Sequence, residues 1–312
     1  MSTVPFPIER DESREFAGVC VVRLEQEGRP VVVLDHALIQ RLEATLDALP
    51  GDARGFVLAS AAPRAFVAGA DLKTIRTWDD ARLDAYLSYG QRVFGMIARL
   101  PCPSVAAIHA AALGGGLELA MHCDGLVACA PPARDGSPAK PYPVGLPEAG
   151  LGLCPGWGGT NLMPARARTA LHTEDAIRRI CVGTPYTFDE ARESGLFDAI
   201  AERPDDLLPT AKKWLCAQQI SSRARDGAPA RWVGRPGDAA RVLRAVDAVR
   251  RELGVLPELS PASAVLEAID AGLTKGWQAA LDTERARLVA LRHTPGAVRA
   301  IDAFFEKSGA KG

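Results

Sequence analysis

Residues 104–124, SVAAIHAAALGGGLELAMHCD, narrow the choice of fold more than any other part of the chain. The first half, 105–112, is apolar and reads as one buried strand. Three glycines come next: Gly114, Gly115 and Gly116. Residues 117–123 then read as a helix with one acid, Glu118, in its first turn. Glycines between a strand and a helix let backbone come close to a ligand, and the first N–H groups of a helix have no intrahelical partner. Such groups can stabilise negative charge developing on an oxygen. A tight turn with a surface glutamate has the same local pattern, so other stretches must decide between the two.

Composition removes several classes of function. The chain has 312 residues, enough for one large or two modest domains. Its 47% hydrophobic and 24% charged residues are those of a soluble globular protein. A formal net charge of −1 offers no electrostatic case for nucleic acid or membrane. The chain lacks a run of about 18 apolar residues, so no transmembrane helix is expected. Its first residues, MSTVPFPIERDESREF, lack the order of a signal peptide. The seven cysteines, at 20, 102, 123, 129, 154, 181 and 216, include no CxxC pair. Neither a zinc site nor a disulfide framework is expected, and a reducing cytoplasm is.

In chain order, residues 19–24 and 30–34 read as strands around a turn at Glu27 and Gly28. Residues 37–49 read as an amphipathic helix stopped by Pro50 and Gly51, and 55–60 as a strand. The small-residue run 65–72, AFVAGADL, lies between a strand and a helix. There the N–H of Ala70 is a natural donor, with Asp71 able to cap the helix after it. Residues 80–100 form a long amphipathic helix pattern, and 125–130 another strand. Residues 131–143, PPARDGSPAKPYP, read as an exposed loop.

Glu148 then stands among apolar residues and glycines in GLPEAGLG, where burial would raise its pKa toward an acid–base value; a loop carboxylate is the plain alternative. The glycine-rich loop 155–160, PGWGGT, lacks the lysine of a phosphate-cradling loop, and GxGxxG is absent. Residues 184–201 read as a helix, 188–194, closed by Gly195 and then a strand. From about residue 204 the pattern is helical throughout, with helices at 207–219, 238–253, 262–290 and 294–306.

Four stretches together resemble the crotonase (enoyl-CoA hydratase/isomerase) superfamily: AFVAGADL at 65–72, AAIHAAALGGGLELAMHCD at 106–124, GLPEAGLGLCPGWGGT at 145–160 and GTPYTFDEARESGLFDAI at 183–200. The resemblance covers roughly residues 17–203. It implies an α/β fold, a spiral of ββα units, with residues 1–204 as catalytic core and 205–312 as an extended all-helical C-terminal region. By motif position it puts an oxyanion hole on the N–H groups of Ala70 and Gly115 and a pair of catalytic acids on Glu118 and Glu148. Ala68, Asp71, Leu72, Gly114 and Trp157 fall in substrate-binding positions.

Both acids are present, which favours a hydratase over members that keep one acid, such as double-bond isomerases. The thioester withdraws electrons, so C3 accepts water while charge gathers on the carbonyl oxygen. Two N–H donors hold that charge, worth roughly 3–4 kcal/mol each. One carboxylate takes the water proton and the other orients water or supplies the C2 proton, a contribution of about 10²–10⁴-fold. The expected substrate is an acyl-CoA thioester, with no cofactor beyond the coenzyme A it carries and no metal. The resemblance also implies a homo-oligomer, a trimer or hexamer.

Two departures stand out. Glu118 and Glu148 lie further apart than in the family, the excess being 131–143. Residues 263–307 resemble the helical linker of multifunctional β-oxidation α-subunits, here without a subsequent dinucleotide-binding motif. That tail suggests a β-oxidation partner enzyme. Enoyl-CoA isomerisation or another thioester-enolate reaction, and an acyl-CoA-binding assembly subunit, stay open as alternatives. Lesser candidates are His109 and Lys73 as acyl-CoA contacts, each with a structural or solvated alternative. His122 and Cys123 lack further metal ligands, and Cys123 and Cys154 lack a base partner.

Overall fold

The computed structural model describes residues 3–132, 140–218 and 226–309. Most of the proline-rich stretch expected as a loop (133–139), and Gln219, the expected end of a helix, lie outside them. In chain order the elements are β1 (Ile8–Arg10), β2 (Val19–Leu24), α1 (His36–Asp47), β3 (Gly55–Ser60), β4 (Ala65–Val67), α2 (Leu72–Thr77), α3 (Asp80–Arg99), β5 (Ser104–Ile108), β6 (Ala111–Leu113), α4 (Gly115–Met121), β7 (Gly125–Cys129) and β8 (Pro143–Gly145). Then come α5 (Gly159–Arg166), α6 (Ala170–Val182), β9 (Tyr186–Thr187), α7 (Phe188–Ser194), β10 (Ala199–Ala201), α8 (Leu207–Cys216), α9 (Ala239–Leu253), α10 (Pro261–Lys275), α11 (Trp277–Leu291) and α12 (Pro295–Gly309). They divide between two units. The first comprises Met1–Ala70, Arg92–Val144 and Tyr186–Ala230, and the second Asp71–Gln91, Gly145–Pro185 and Arg231–Gly312.

The first unit holds two sheets. The larger has the order β1-β2-β3-β5-β7-β10, parallel from β2 onward with β1 antiparallel at its edge. The smaller has the order β4-β6-β8-β9. The chain lays its strands alternately: β3 then β4, β5 then β6, β7 then β8. Each turn thus gives one strand to each sheet, the spiral that the sequence resemblance implies. The larger sheet's central strands β2, β3, β5 and β7 are almost wholly buried, as parallel strands covered on both faces must be. On one face Val19, Val21, Val57, Ala59, Val105, Ala107, Val127 and Cys129 alternate along their strands and meet Leu207, Ala211 and Leu215 of α8. That is period-two apolar spacing against a helix stripe of period four. Trp214 lies over β7 where Gly125 leaves room; a Cβ there would come within 2.4 Å of the indole.

The proline-rich stretch is tied at its base. The Tyr142 hydroxyl donates to the Cys129 carbonyl at 2.7 Å. Its ring meets Phe188 at 5.2 Å, and Phe188 stacks on Phe197.

Three expectations need correction. The apolar run 105–112 is two strands, β5 and β6, in different sheets, and His109 and Ala110 make the step between them. The His109 ring N–H donates to the Ala62 carbonyl at 2.7 Å and fixes the corner. Residues 30–34 form no strand; only Leu34 makes a bridge, to Ala70. The Gln26 side chain takes the Val33 N–H and donates to Asp35, so the segment leaves β2 and runs along the chain after β4. Finally, 262–290 is two helices, broken at Gly276, whose φ of +97° ends α10. Helices α5 and α6 were not foreseen.

Within the second unit α10 packs on α11 and α6 on α9. Asn161 on α5 is buried: its side-chain amide donates to the Ala268 carbonyl at 2.9 Å, and its backbone carbonyl accepts from the Val233 N–H. The described part of 231–312 contains helices and no strand. Among the described residues no helix is long and apolar enough to cross a membrane.

Gly125→Ala would force a methyl into the Trp214 ring. The expected loss is about 1–3 kcal/mol in chemical denaturation. An unchanged midpoint would show that α8 moves away from β7 at little cost.

Candidate active site

Two loops of the first unit meet through bare backbone. After β4 the chain turns at Gly69, with φ +91°, and a Cβ there would lie 3.2 Å from the Leu113 carbonyl oxygen and 3.7 Å from the Gly115 nitrogen. From the other side, α4 starts at Gly115, two residues earlier than the sequence pattern suggests. A Cβ on Gly116 would stand 2.4 Å from the Val67 carbonyl oxygen. No side chain fits there without moving the backbone. The 30–34 segment is the strap behind the first loop: Val32 accepts the Ala68 N–H at 2.8 Å, and Leu34 donates to the Gly69 carbonyl at 2.9 Å. The N–H of Ala70 stays outside these bonds. On the second loop, Gly114 has φ +54°, and its carbonyl accepts from Leu117 and Glu118. The N–H of Gly115 is outside the helical ladder, as first-turn donors are. Ala70 and Gly115 are thus brought together, with Ala68 exposed beside them and Glu118 buried on α4.

The remaining candidates belong to the second unit. The Asp71 carboxylate accepts the Lys73 N–H at 3.1 Å and caps α2, which Leu72 begins. Lys73 itself is exposed. Trp157 is a buried anchor: its indole N–H donates to the Leu87 carbonyl at 3.1 Å, and its ring meets Tyr86 edge-on at 5.4 Å. Gly90 makes room for it, since a Cβ there would lie 2.4 Å from the indole nitrogen.

Glu148 opens a 3-10 turn, Glu148–Leu151. The turn is wedged in place. A Cβ on Gly152 would come to 2.5 Å from Ala297 Cα at the start of α12, and one on Gly183 to 2.2 Å from the Gly150 nitrogen. The Glu148 Oε2 is shielded from solvent and has no hydrogen-bond partner among the described residues. Burial pushes its carboxyl well above the usual carboxylate range; a backbone hydrogen bond opposes this, and the field of Glu284 adds to it.

Glu284 is the residue that motif reading missed. It is fully buried on α11 and accepts from the Gly158 N–H at 2.5 Å, the Thr160 N–H at 2.9 Å and the Thr160 hydroxyl at 2.5 Å. Burial raises its carboxyl above the usual carboxylate range, and the hydrogen bonds from Thr160 and Gly158 offset this only in part. The glycine-rich loop therefore serves a carboxylate of the same chain. A signal was available: Glu284 lies three residues after Leu281 and four before Leu288, on the apolar stripe of its helix.

The lesser candidates have structural settings. His109 holds the strand step described above, and burial lowers its pKa, opposed by its bond to Ala62. His122 is buried against the Phe94 ring, and Cys123 and Cys154 are buried, the latter with its thiol toward the Glu284 carbonyl oxygen at 3.6 Å. Among the described residues no group of three or more ligating side chains could hold a metal ion.

A pair of backbone N–H donors beside a buried acid, on a spiral of ββα turns, is an arrangement suited to stabilising negative charge on an oxygen. The enoyl-CoA hydratase/isomerase family model matches residues 14–228, and the chain belongs to that family, within the crotonase superfamily. A fatty acid oxidation complex subunit alpha of Vibrio cholerae serotype O1 is 32% identical over 256 residues, covering 81% of this chain and 34% of the relative. The chain thus spans about a third of the length of the curated relatives it matches. Among solved structures it is similar to an enoyl-CoA hydratase from Bacillus anthracis, at 25% identity, 96% coverage of both chains and a TM-score of 0.57. It shares its fold with a human mitochondrial delta3-delta2-enoyl-CoA isomerase, at 20% identity, 98% coverage of both chains and a TM-score of 0.64.

Because the folded-state pKa of Glu148 is raised, folding favours its protonated form. That stabilisation is complete below the ordinary carboxylate range and is lost as pH rises through the raised value. Glu148→Gln, neutral throughout, escapes the loss. Its Tm relative to wild type is expected to climb between about pH 5 and pH 8. Parallel Tm–pH curves for the two proteins would show that Glu148 titrates as in solution.

Proposed function

We propose that the chain is an enoyl-CoA hydratase, adding water across the 2,3 double bond of a 2-enoyl-CoA to give a 3-hydroxyacyl-CoA. The observation that carries this reading is Glu148: a shielded carboxyl without a hydrogen-bond partner, in an environment that favours its protonated form. Hydration needs such a proton donor in addition to a base, whereas isomerisation by one acid does not.

In this reading the N–H groups of Ala70 and Gly115 hold the thioester oxygen, and the charge of the enolate grows against them. Glu118 takes a proton from water as its oxygen adds to C3. Glu148 gives its proton to C2, and the two acids return to their starting states by proton exchange. Ala68, Asp71, Leu72, Gly114 and Trp157 are assigned to the substrate's surroundings by motif position. The reaction requires no cofactor beyond the coenzyme A of the substrate. A cytoplasmic location goes with this role. The complex named for the Vibrio cholerae relative supports association with a second β-oxidation enzyme, and family membership supports a homo-oligomer.

The test tracks the absorbance of the conjugated enoyl thioester with crotonyl-CoA and longer 2-enoyl-CoAs. Wild type is expected to hydrate them, with Glu118→Gln and Glu148→Gln each slowed by about 10²–10⁴-fold while folded. Wild type inert on every 2-enoyl-CoA but active in shifting a 3-enoyl-CoA double bond would replace hydration by isomerisation. Binding of acyl-CoA without either reaction would leave an assembly subunit.

A further inference from the structure

The loop 154–160 is fastened by two parts of the second unit, α11 and the first half of α3. From α3, the Gln91 amide bridges the Gly156 and Leu281 carbonyls at 2.9 Å each, and Leu87 accepts the Trp157 indole N–H. From α11, Glu284 takes three donors of Gly158 and Thr160. A Cβ on Gly156 would already touch Leu288 at 3.0 Å. The Glu148 turn runs straight into this loop, with the Leu153 N–H donating to the Glu148 carbonyl at 3.0 Å. A fully buried carboxylate is costly unless its oxygens are satisfied. An amide or hydroxyl would suffice to hold the loop, so the retained charge calls for a reason.

We propose that Glu284 is a positioning residue for Glu148: it fixes the Gly158–Thr160 loop behind the Glu148 turn and sets a buried negative charge in that carboxyl's neighbourhood, keeping the proton on Glu148. The proposal rests on the hydratase reading for the use made of that proton. Glu284 is suited to carry the charge, since three donors converge on it, while the Glu148 Oε2 has none. The other charged groups on the helices packed against the turn are paired elsewhere, half-buried or exposed. On α6, Arg178 pairs with Glu252 and Arg179 with Asp175, while His172 and Glu174 are half-buried. On α10, Glu267 pairs with Arg287 and Asp270 with Arg250, and Lys275 is exposed. On α12, Asp302 pairs with Arg76, and Arg299 and Glu306 are exposed.

The test has two readouts. Infrared titration of the Glu148 carboxyl, with Glu148→Gln as the blank, reports its proton directly. The pH dependence of kcat and KM on crotonyl-CoA reports the use of that proton. In Glu284→Gln the infrared midpoint and the alkaline limb of kcat are both expected to move down by roughly one pH unit, with KM little changed. Glu284→Asp, which keeps the charge, is expected to retain the wild-type limb. Should Glu284→Gln fail to fold, Thr160→Val removes one donor from Glu284 and is expected to move both readouts the same way by less. A midpoint unmoved in the folded variant overturns the proposal. Wild type that hydrates nothing while the infrared midpoint still shifts with Glu284 overturns the hydratase reading and leaves the pairing of the two acids standing.

Discussion

Everything in the first unit that bears on chemistry depends on an absence: no side chain stands between the end of β4 and the start of α4. Backbone meets backbone at Gly69 and at Gly116, and a single methyl at 116 would fall inside the Val67 carbonyl. That approach places the N–H groups of Ala70 and Gly115 on adjoining loops. Neither group is used by the bonds that hold its own loop. Both loops are fixed from behind, one by the strap through Val32 and Leu34, the other by the Gly114 carbonyl. Donors held in this way need no reorganisation when charge appears, which makes them effective against a developing oxyanion.

The second unit solves a different problem, the burial of two carboxyls. Glu284 is satisfied by three donors and Glu148 by none at Oε2. Two acids sharing a buried region do not ionise together readily, and hydrogen-bond donors favour charge on the acid they reach. The C-terminal helices are thus part of the setting of Glu148 and more than a tail. α11 contributes Glu284, and α12 presses Ala297 against Gly152.

Much of this was legible in the residues. Strands β2, β3 and β7 stand where β-branched and apolar runs put them, and α7 ends at the glycine that closes its pattern. The glycine triplet and AFVAGADL signalled close backbone approach and pointed to the family. The parts that were not legible have physical reasons. The run 105–112 is apolar on every residue but one, so no alternation marks where the chain changes sheets; the change is made by a histidine bond to a residue 47 positions away. The 30–34 segment has strand-like composition, but the Gln26 side chain takes one of its N–H groups and the β4 loop takes the rest of its pairing. Glu284 belongs to no local motif, because its partners lie 124 and 126 positions earlier.

The bond from Tyr142 to Cys129 has a consequence for how such a chain can vary. It closes a neck where β7 ends, just before β8 begins, with Tyr142 seated on Phe188, which stacks on Phe197. Where the two ends of a segment are held together, added length costs little: doubling it adds only about 0.6 kcal/mol of closure entropy. The register of β8 on β9, Val144 opposite Tyr186, is set on the near side of that neck. Insertions and deletions between the two strands are therefore insulated from the sheet, and a count of residues between two motifs ceases to measure the distance between them.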